Sequence, residues 1–85
     1  RQSAQDVFAD DADSQKLFSA LKETRMQLAK AQNVPPYVIF HDKTLADMVM
    51  MKPDNMSTMA LVHGIGERKL KKYGQVFIDV IRQYV

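Results

Sequence analysis

Leu17, Leu21, Thr24 and Leu28 recur at three- and four-residue steps, with Phe18 and Arg25 alongside. That is one stripe at the α-helical period, and it predicts a first helix from Gln15 to Gln32. Asp13 or Ser14 stands ready to cap it, accepting a hydrogen bond from an orphan first-turn amide. Lys22, Arg25 and Lys30 fall largely off the stripe. The stripe needs a partner surface, so a helical bundle is implied.

Asn33 stops this helix, and the two prolines of Val34-Pro35-Pro36 cannot sit inside one. Pro36 can begin the next, because its missing amide is an orphan there anyway. The β-branched pair in Pro36-Tyr37-Val38-Ile39-Phe40 favours a strand by propensity. No second strand is available to pair with it, so one or two helical turns are expected. Asp42 is a suitable cap for a helix from Lys43 to Met51, with Leu45, Met48 and Val49 on its buried edge. Lys52-Pro53 ends that helix. Ser57 can cap a short helix through Val62, with Met59 or Ala60 and Leu61 inward. His63-Gly64-Ile65-Gly66 reads as a tight turn. The last helix runs from Glu67 to near the C-terminus on a stripe of Leu70, Tyr73, Phe77, Ile81 and Tyr84, with Val80 beside it. Gly74 inside it points to close approach by another helix, since glycine there costs about 1 kcal/mol relative to alanine. Met50, Met51, Met56 and Met59 are expected as pliable core filler. The sum is an all-α domain, a compact bundle of about five helices over residues 14–85. Residues 1–13, with four aspartates and little periodicity, read as a linker or flexible tail from which Val7 and Phe8 can dock.

Length and composition narrow the chemistry. Eighty-five residues make one small domain. Cysteine is absent and histidine occurs twice, which excludes a disulfide framework, a thiol nucleophile and a thiolate zinc site. No apolar run approaches the ~18 residues of a membrane-spanning helix. The start, leading into acid rather than an apolar stretch, is not a signal peptide. A soluble intracellular module is expected, and the missing initial Met fits a piece of a longer protein. A nucleotide-binding loop ending in Gly-Lys-Ser/Thr is absent, and the Gly64–Gly66 turn is too short to replace it. His41-Asp42, adjacent in sequence, is not a catalytic dyad, and no catalytic residue is assigned. No metal site and no cofactor are expected within the domain.

Charge is unevenly placed. The net charge is +2, yet Asp6, Asp10, Asp11 and Asp13 crowd the start. Two basic clusters follow. Lys16, Lys22, Arg25 and Lys30 are opposed by Glu23, and Arg68, Lys69, Lys71 and Lys72 by Glu67. A localised positive patch suits a polyanion, although lysines on a helix often make only a solvated face.

One constellation carries specific mechanics. Leu61 through Leu70 reads as helix, Gly-Ile-Gly turn, helix, with Ile65 inward. Amides at Gly64, Gly66 and the helix start can face an anion, aided by the helix dipole. Arg68 and Lys69 stand one step away. A phosphate fits there without any reading of bases. The turn resembles the helix-hairpin-helix motif of DNA-binding proteins. Glycines serving packing alone are the competing explanation. Tyr37, just after two prolines and near the basic first helix, is a candidate stacking platform for an unpaired base. The competing explanation is a half-buried anchor with its hydroxyl in water. Tyr73 and Tyr84 are expected in the core.

The string from Asn33 to Leu45, then Pro53, then Gly64 to Gly74, resembles the helicase-and-RNase-D C-terminal (HRDC) domain over about residues 14–85. Val34-Pro35-Pro36-Tyr37-Val38-Ile39-Phe40 is most similar to the form in bacterial RecQ DNA helicases. The resemblance implies an accessory module that binds single-stranded or partly duplex DNA and tunes substrate choice in DNA repair and recombination. Its parent would be an ATP-dependent 3'-5' DNA helicase, with ATP, Mg and a candidate Zn in upstream parts. Carried onto this chain, Tyr37, Lys22 and Arg25, with Lys16 and Lys30, form the nucleic-acid contact. Gly64, Gly66, Arg68 and Lys69 form a second candidate, a phosphate-binding hairpin. Thr24 and Met26 depart from the Leu and the basic residue that related sequences can carry, which weakens the patch. Two alternatives are a protein-interaction domain docking on the helicase core or a repair partner through residues 48–59, and the RNA-binding accessory domain of an RNase D-type exonuclease. A monomer in the cytoplasm, associated with the nucleoid and not with membrane, is implied.

Overall fold

The first helix, α1 (Ala12–Gln32), starts three residues earlier than its periodicity predicts. The structure, a computed structural model, describes residues 11–85. Asp11, rather than Asp13 or Ser14, is the cap: its carboxylate accepts from the amides of Asp13 and Ser14 and, at 2.7 Å, from the Ser14 hydroxyl. The Ser14 hydroxyl is the main reason the Asp11 carboxyl is held below the usual carboxylate range. Asp13 falls in the first turn, where an acid complements the helix dipole. Of the linker expected over residues 1–13, Asp11 is instead the cap and Ala12 and Asp13 the start of α1; residues 1–10, with Val7 and Phe8, lie outside the described residues.

Asn33 ends α1, as expected, and does so in the left-handed conformation (φ 57°). α2 (Pro36–Ile39) is a single helical turn with proline at its first position. Phe40 then swings out to extended geometry and α3 (Asp42–Met51) begins. Here the cap differs from expectation. His41 occupies the cap position, Asp42 is the first helical residue, and no side chain caps α3. Lys52, left-handed at φ 48°, closes α3 ahead of a buried Pro53.

α4 (Met56–Met59) is one turn, capped by Asn55 and not by Ser57: the Asn55 side chain accepts from the Thr58 amide at 2.9 Å. The expected continuation to Val62 is replaced by successive tight turns. They rotate Leu61 into solvent, where it is 74% exposed, expose Ala60, and bury Val62 instead. α5 (Glu67–Arg82) follows the hairpin. Among the described residues there is no strand, so the domain is all-α with five helices. No helix among them is long and apolar enough to cross a membrane.

α1 packs on α2, α3 and α5, and α4 packs on α5. Leu17 and Leu21 of α1, Leu45 and Met48 of α3, and Phe77, Ile78 and Ile81 of α5 meet in one core. Phe40 is buried in it, edge-on to Tyr73 (5.9 Å between ring centres) and to Phe77 (5.3 Å). The methionine expectation holds for Met59 and half-buried Met56 but not for Met50 and Met51, which are exposed. Tyr73 is core as expected. Tyr84 lies past the end of α5 and is exposed. A methyl at Gly74 would come within 3.0 Å of the Met56 sulfur, so the close approach is that of α4.

The hairpin holds two different glycines. Gly64 has φ +85°, and a Cβ there would run into the Thr44 hydroxyl. Gly66 has an ordinary φ of −85° and open space around the position of a Cβ. Gly64→Ala is therefore expected to cost about 1–2 kcal/mol from the left-handed backbone alone. Gly66→Ala should change stability by no more than about 0.5 kcal/mol. Urea denaturation of both variants checks this; equal losses would show that the turn does not use the Gly64 conformation.

Candidate nucleic-acid interface

Tyr37 is the most exposed aromatic residue described, at 60%. Its backbone is confined, because Pro36 precedes it and the fully buried Ile39 and Phe40 follow. The ring lies beside the His41 imidazole, 6.1 Å between centres and 25° from parallel. Arg25, Pro36, Tyr37, His41, Asp42 and Lys43 line one shallow hollow.

Arg25 takes a different place from the one its sequence position predicts. It is buried, with only 11% of its side chain exposed. One guanidinium nitrogen, Nη1, donates to the Phe40 carbonyl oxygen at 3.0 Å and lies 2.7 Å from the Asp42 carboxylate. It thus ties α1 to the junction between α2 and α3. The apolar stripe of α1 contains its position: Leu21 lies one turn before and Ala29 one turn after.

The other cations of α1 are dispersed. Lys22 is exposed, with its ammonium 5.2 Å from the centre of the Phe18 ring. Lys16 borders a hollow with Glu23 and Tyr84, and Lys30 lies in the last turn. Fourteen residues separate Lys16 from Lys30, about 21 Å at the helical rise, so the two cannot serve one phosphate.

At the hairpin, Gly66 caps α5 without a side chain, leaving the first-turn amides without a side-chain partner from the cap. Arg68 is exposed there. Glu67, at the same mouth, lies 3.6 Å from Lys71, a loose exposed pair that offsets little of its charge. The Ile65 amide is taken internally by Val62, and the His63 amide donates to Asp47 at 2.8 Å. Lys69 leans the other way. Its ammonium is 5.9 Å from the centre of the ring of Phe40, the residue that follows α2.

His41 and Lys43 were not among the sequence candidates for this surface. Tyr37 and His41 are four residues apart, a spacing that brings side chains together on a helix. The break at Phe40 hides that signal. Among the described residues no group of three or more His, Cys, Asp or Glu is placed to hold a metal ion.

Comparison with known proteins matches the sequence over residues 14–81 to the HRDC domain. The chain is 37% identical over 68 residues to the ATP-dependent DNA helicase RecQ of Haemophilus influenzae, covering 80% of this chain and 11% of that protein. With RecQ of Bacillus subtilis it shares 38% over 72 residues, covering 85% of this chain and 12% of the relative. The ATP-dependent DNA helicase UvrD2 of Mycobacterium tuberculosis is 39% identical over 74 residues, 87% of this chain and 10% of that protein. The chain therefore spans about a tenth of the length of these relatives. The solved HRDC domain 3 of D. radiodurans RecQ superimposes with a TM-score of 0.80 at 30% identity, over 82% of this chain and 92% of that one. With the family match over residues 14–81 and relatives 37% and 38% identical over 80% or more of its length, the chain belongs to the HRDC domain family.

Proposed function

We propose that this domain binds single-stranded or partly duplex DNA as an accessory module of an ATP-dependent DNA helicase. In that role it tunes which DNA structures the enzyme engages in repair and recombination. The observation that carries the reading is Tyr37: a large ring, mostly in solvent, on a backbone pinned by the core. An exposed tyrosine face accepts any unpaired base. Lys22 and Lys43, with Lys16 and Lys30 further along α1, supply the long-range attraction. Arg25 serves by positioning the junction. Joined to a motor by a linker, even weak binding counts, because the second contact becomes intramolecular. The ATP-driven motor belongs to the same proposal and rests on the names of the helicase relatives; its 3'-5' direction, Mg and Zn rest on the family resemblance alone.

The test is titration of a labelled single-stranded oligonucleotide at two salt concentrations, with NMR shifts followed in the same samples. Tyr37→Ala should weaken binding by about 1–3 kcal/mol with the fold intact. Lys22→Ala should flatten the salt dependence by about 0.7 in the logarithmic slope if it contacts phosphate. Wild-type affinity in Tyr37→Ala removes the stacking role, and shifts centred on Gly64–Lys69 move the site to the hairpin.

A second reading is favoured by a separate feature. Met50, 59% exposed, joins Lys43, Ala46, Asp47 and His63 around a small apolar hollow, and Leu61 lies exposed two residues before His63. Such a surface suits docking on the helicase core or a repair protein. Shifts confined to α3 and the α4–α5 connection, on adding the remainder of the parent protein, would favour it over DNA.

A further inference from the structure

Resting on the single-strand reading, we propose that His41 is a positioning residue that holds the Tyr37 ring in the orientation a base needs. Two observations point to it. The first is the ring pair itself, offset and near parallel. The imidazole lies within 6.1 Å of the Tyr37 ring centre, and 60% of the tyrosine remains in solvent. An exposed tyrosine without a neighbour exchanges among its staggered rotamers. The imidazole restricts that exchange and keeps one face presented.

The second observation is where His41 stands. It is the cap residue of α3, a place that favours Ser, Thr, Asp or Asn, whose side chains close the first turn. His41 makes no such bond, and α3 begins without a side-chain cap. The residue thus gives up a local stabilisation available to several others and uses its ring on Tyr37 instead. Its backbone is held from both sides, because Arg25 bonds the carbonyl before it and the carboxylate after it. Arg25, Asp42 and Lys43 are the charged groups around it in the hollow. The ligand class is an unpaired nucleic-acid base taken by its π-face.

A capping role and a platform role predict opposite signs for one substitution. His41→Asn supplies the missing cap and removes the aromatic brace. The 85-residue chain is titrated with a labelled oligothymidylate strand, alongside the His41→Asn, His41→Phe, Tyr37→Ala and Tyr37→Ala/His41→Asn variants, and each is melted. His41→Asn is expected to melt higher than the parent and yet bind about two- to tenfold more weakly, the worth of one aromatic pair. His41→Phe should bind within twofold of the parent. The double variant should bind no more weakly than Tyr37→Ala, because the two residues act as a unit. Parent-like affinity in His41→Asn, with Tyr37→Ala weakened, overturns the positioning role and leaves the single-strand reading standing. A His41→Asn loss that adds in full to that of Tyr37→Ala also overturns it. Parent-like affinity in Tyr37→Ala overturns the single-strand stacking reading, and the inference falls with it.

Discussion

Replacing Phe40 by alanine is expected to remove about 3–5 kcal/mol of folding stability. The side chain is buried in the core, edge-on to Tyr73 and Phe77. Each of those contacts is worth something beyond buried area, because a ring edge meets the negative face of its neighbour. A domain of this length holds roughly 4–13 kcal/mol in total at typical stability per residue. The variant should therefore unfold at a much lower temperature, each lost kcal/mol lowering Tm by about 4–8 °C. Phe40→Leu, which keeps most of the volume, should lose no more than about 1.5 kcal/mol. Urea denaturation of the two variants is the check. A loss below about 1 kcal/mol in Phe40→Ala would mean that the α2–α3 junction is not anchored through this ring.

Arg25→Ala is expected to cost about 2–4 kcal/mol. Part of this is the Phe40 carbonyl, left buried without its donor, at about 1–3 kcal/mol. The rest is the buried methylene stem, which packs as an apolar side chain does. The ion pair adds little, since the Asp42 side chain is 61% exposed and water screens it. Arg25→Met, which restores the stem alone, should recover part of the loss, whereas Asp42→Asn should change stability by less than about 1 kcal/mol. The salt slope of DNA binding separates a positioning arginine from a phosphate contact. A positioning role leaves it unchanged in Arg25→Met, while a drop of about 0.7 would return Arg25 to the footprint.

Much of the bundle was legible because its punctuation is chemical. Asn33 and the double proline end α1, Pro36 opens α2, Lys52-Pro53 ends α3, and the glycines mark the hairpin. Each acts within a few residues, so sequence alone reveals it. Cap choice was less legible. Several candidate cap residues crowd the starts of α1 and α4, and which of them closes the turn depends on where the chain enters the bundle. Asp11 displaced Asp13 and Ser14, and Asn55 displaced Ser57, on that account. The exposure of Leu61 was not legible, because α4 ends after one turn and the stripe argument fails once the helix stops; Met50 lies on α3 beside the buried Met48 and Val49 but off their face, and its apolar character hid that.

The site divides along the same line. Tyr37 stood out because an aromatic residue after two prolines is locally unusual. Arg25 was placed among the exposed cations because charge suggests solvent. Its register with Leu21 and Ala29 was the signal that it faces inward. His41 gave only the four-residue spacing from Tyr37, a signal that the break in the helix at Phe40 conceals.

The pinning of Phe40 has a consequence for the entropy of association. Tyr37 follows a proline and stands in the single turn of α2 that the buried Ile39 and Phe40 anchor, so its main chain is ordered before any strand arrives. A base that lands there need fix only the two side-chain torsions of one tyrosine, with no loop to be ordered in the process. The free-energy gain from a single stacked base is small, and most of it would be lost if the backbone had first to be immobilised. A rigid turn under one exposed ring thus lets a domain of this size hold a strand briefly, and let it go, without folding anything new.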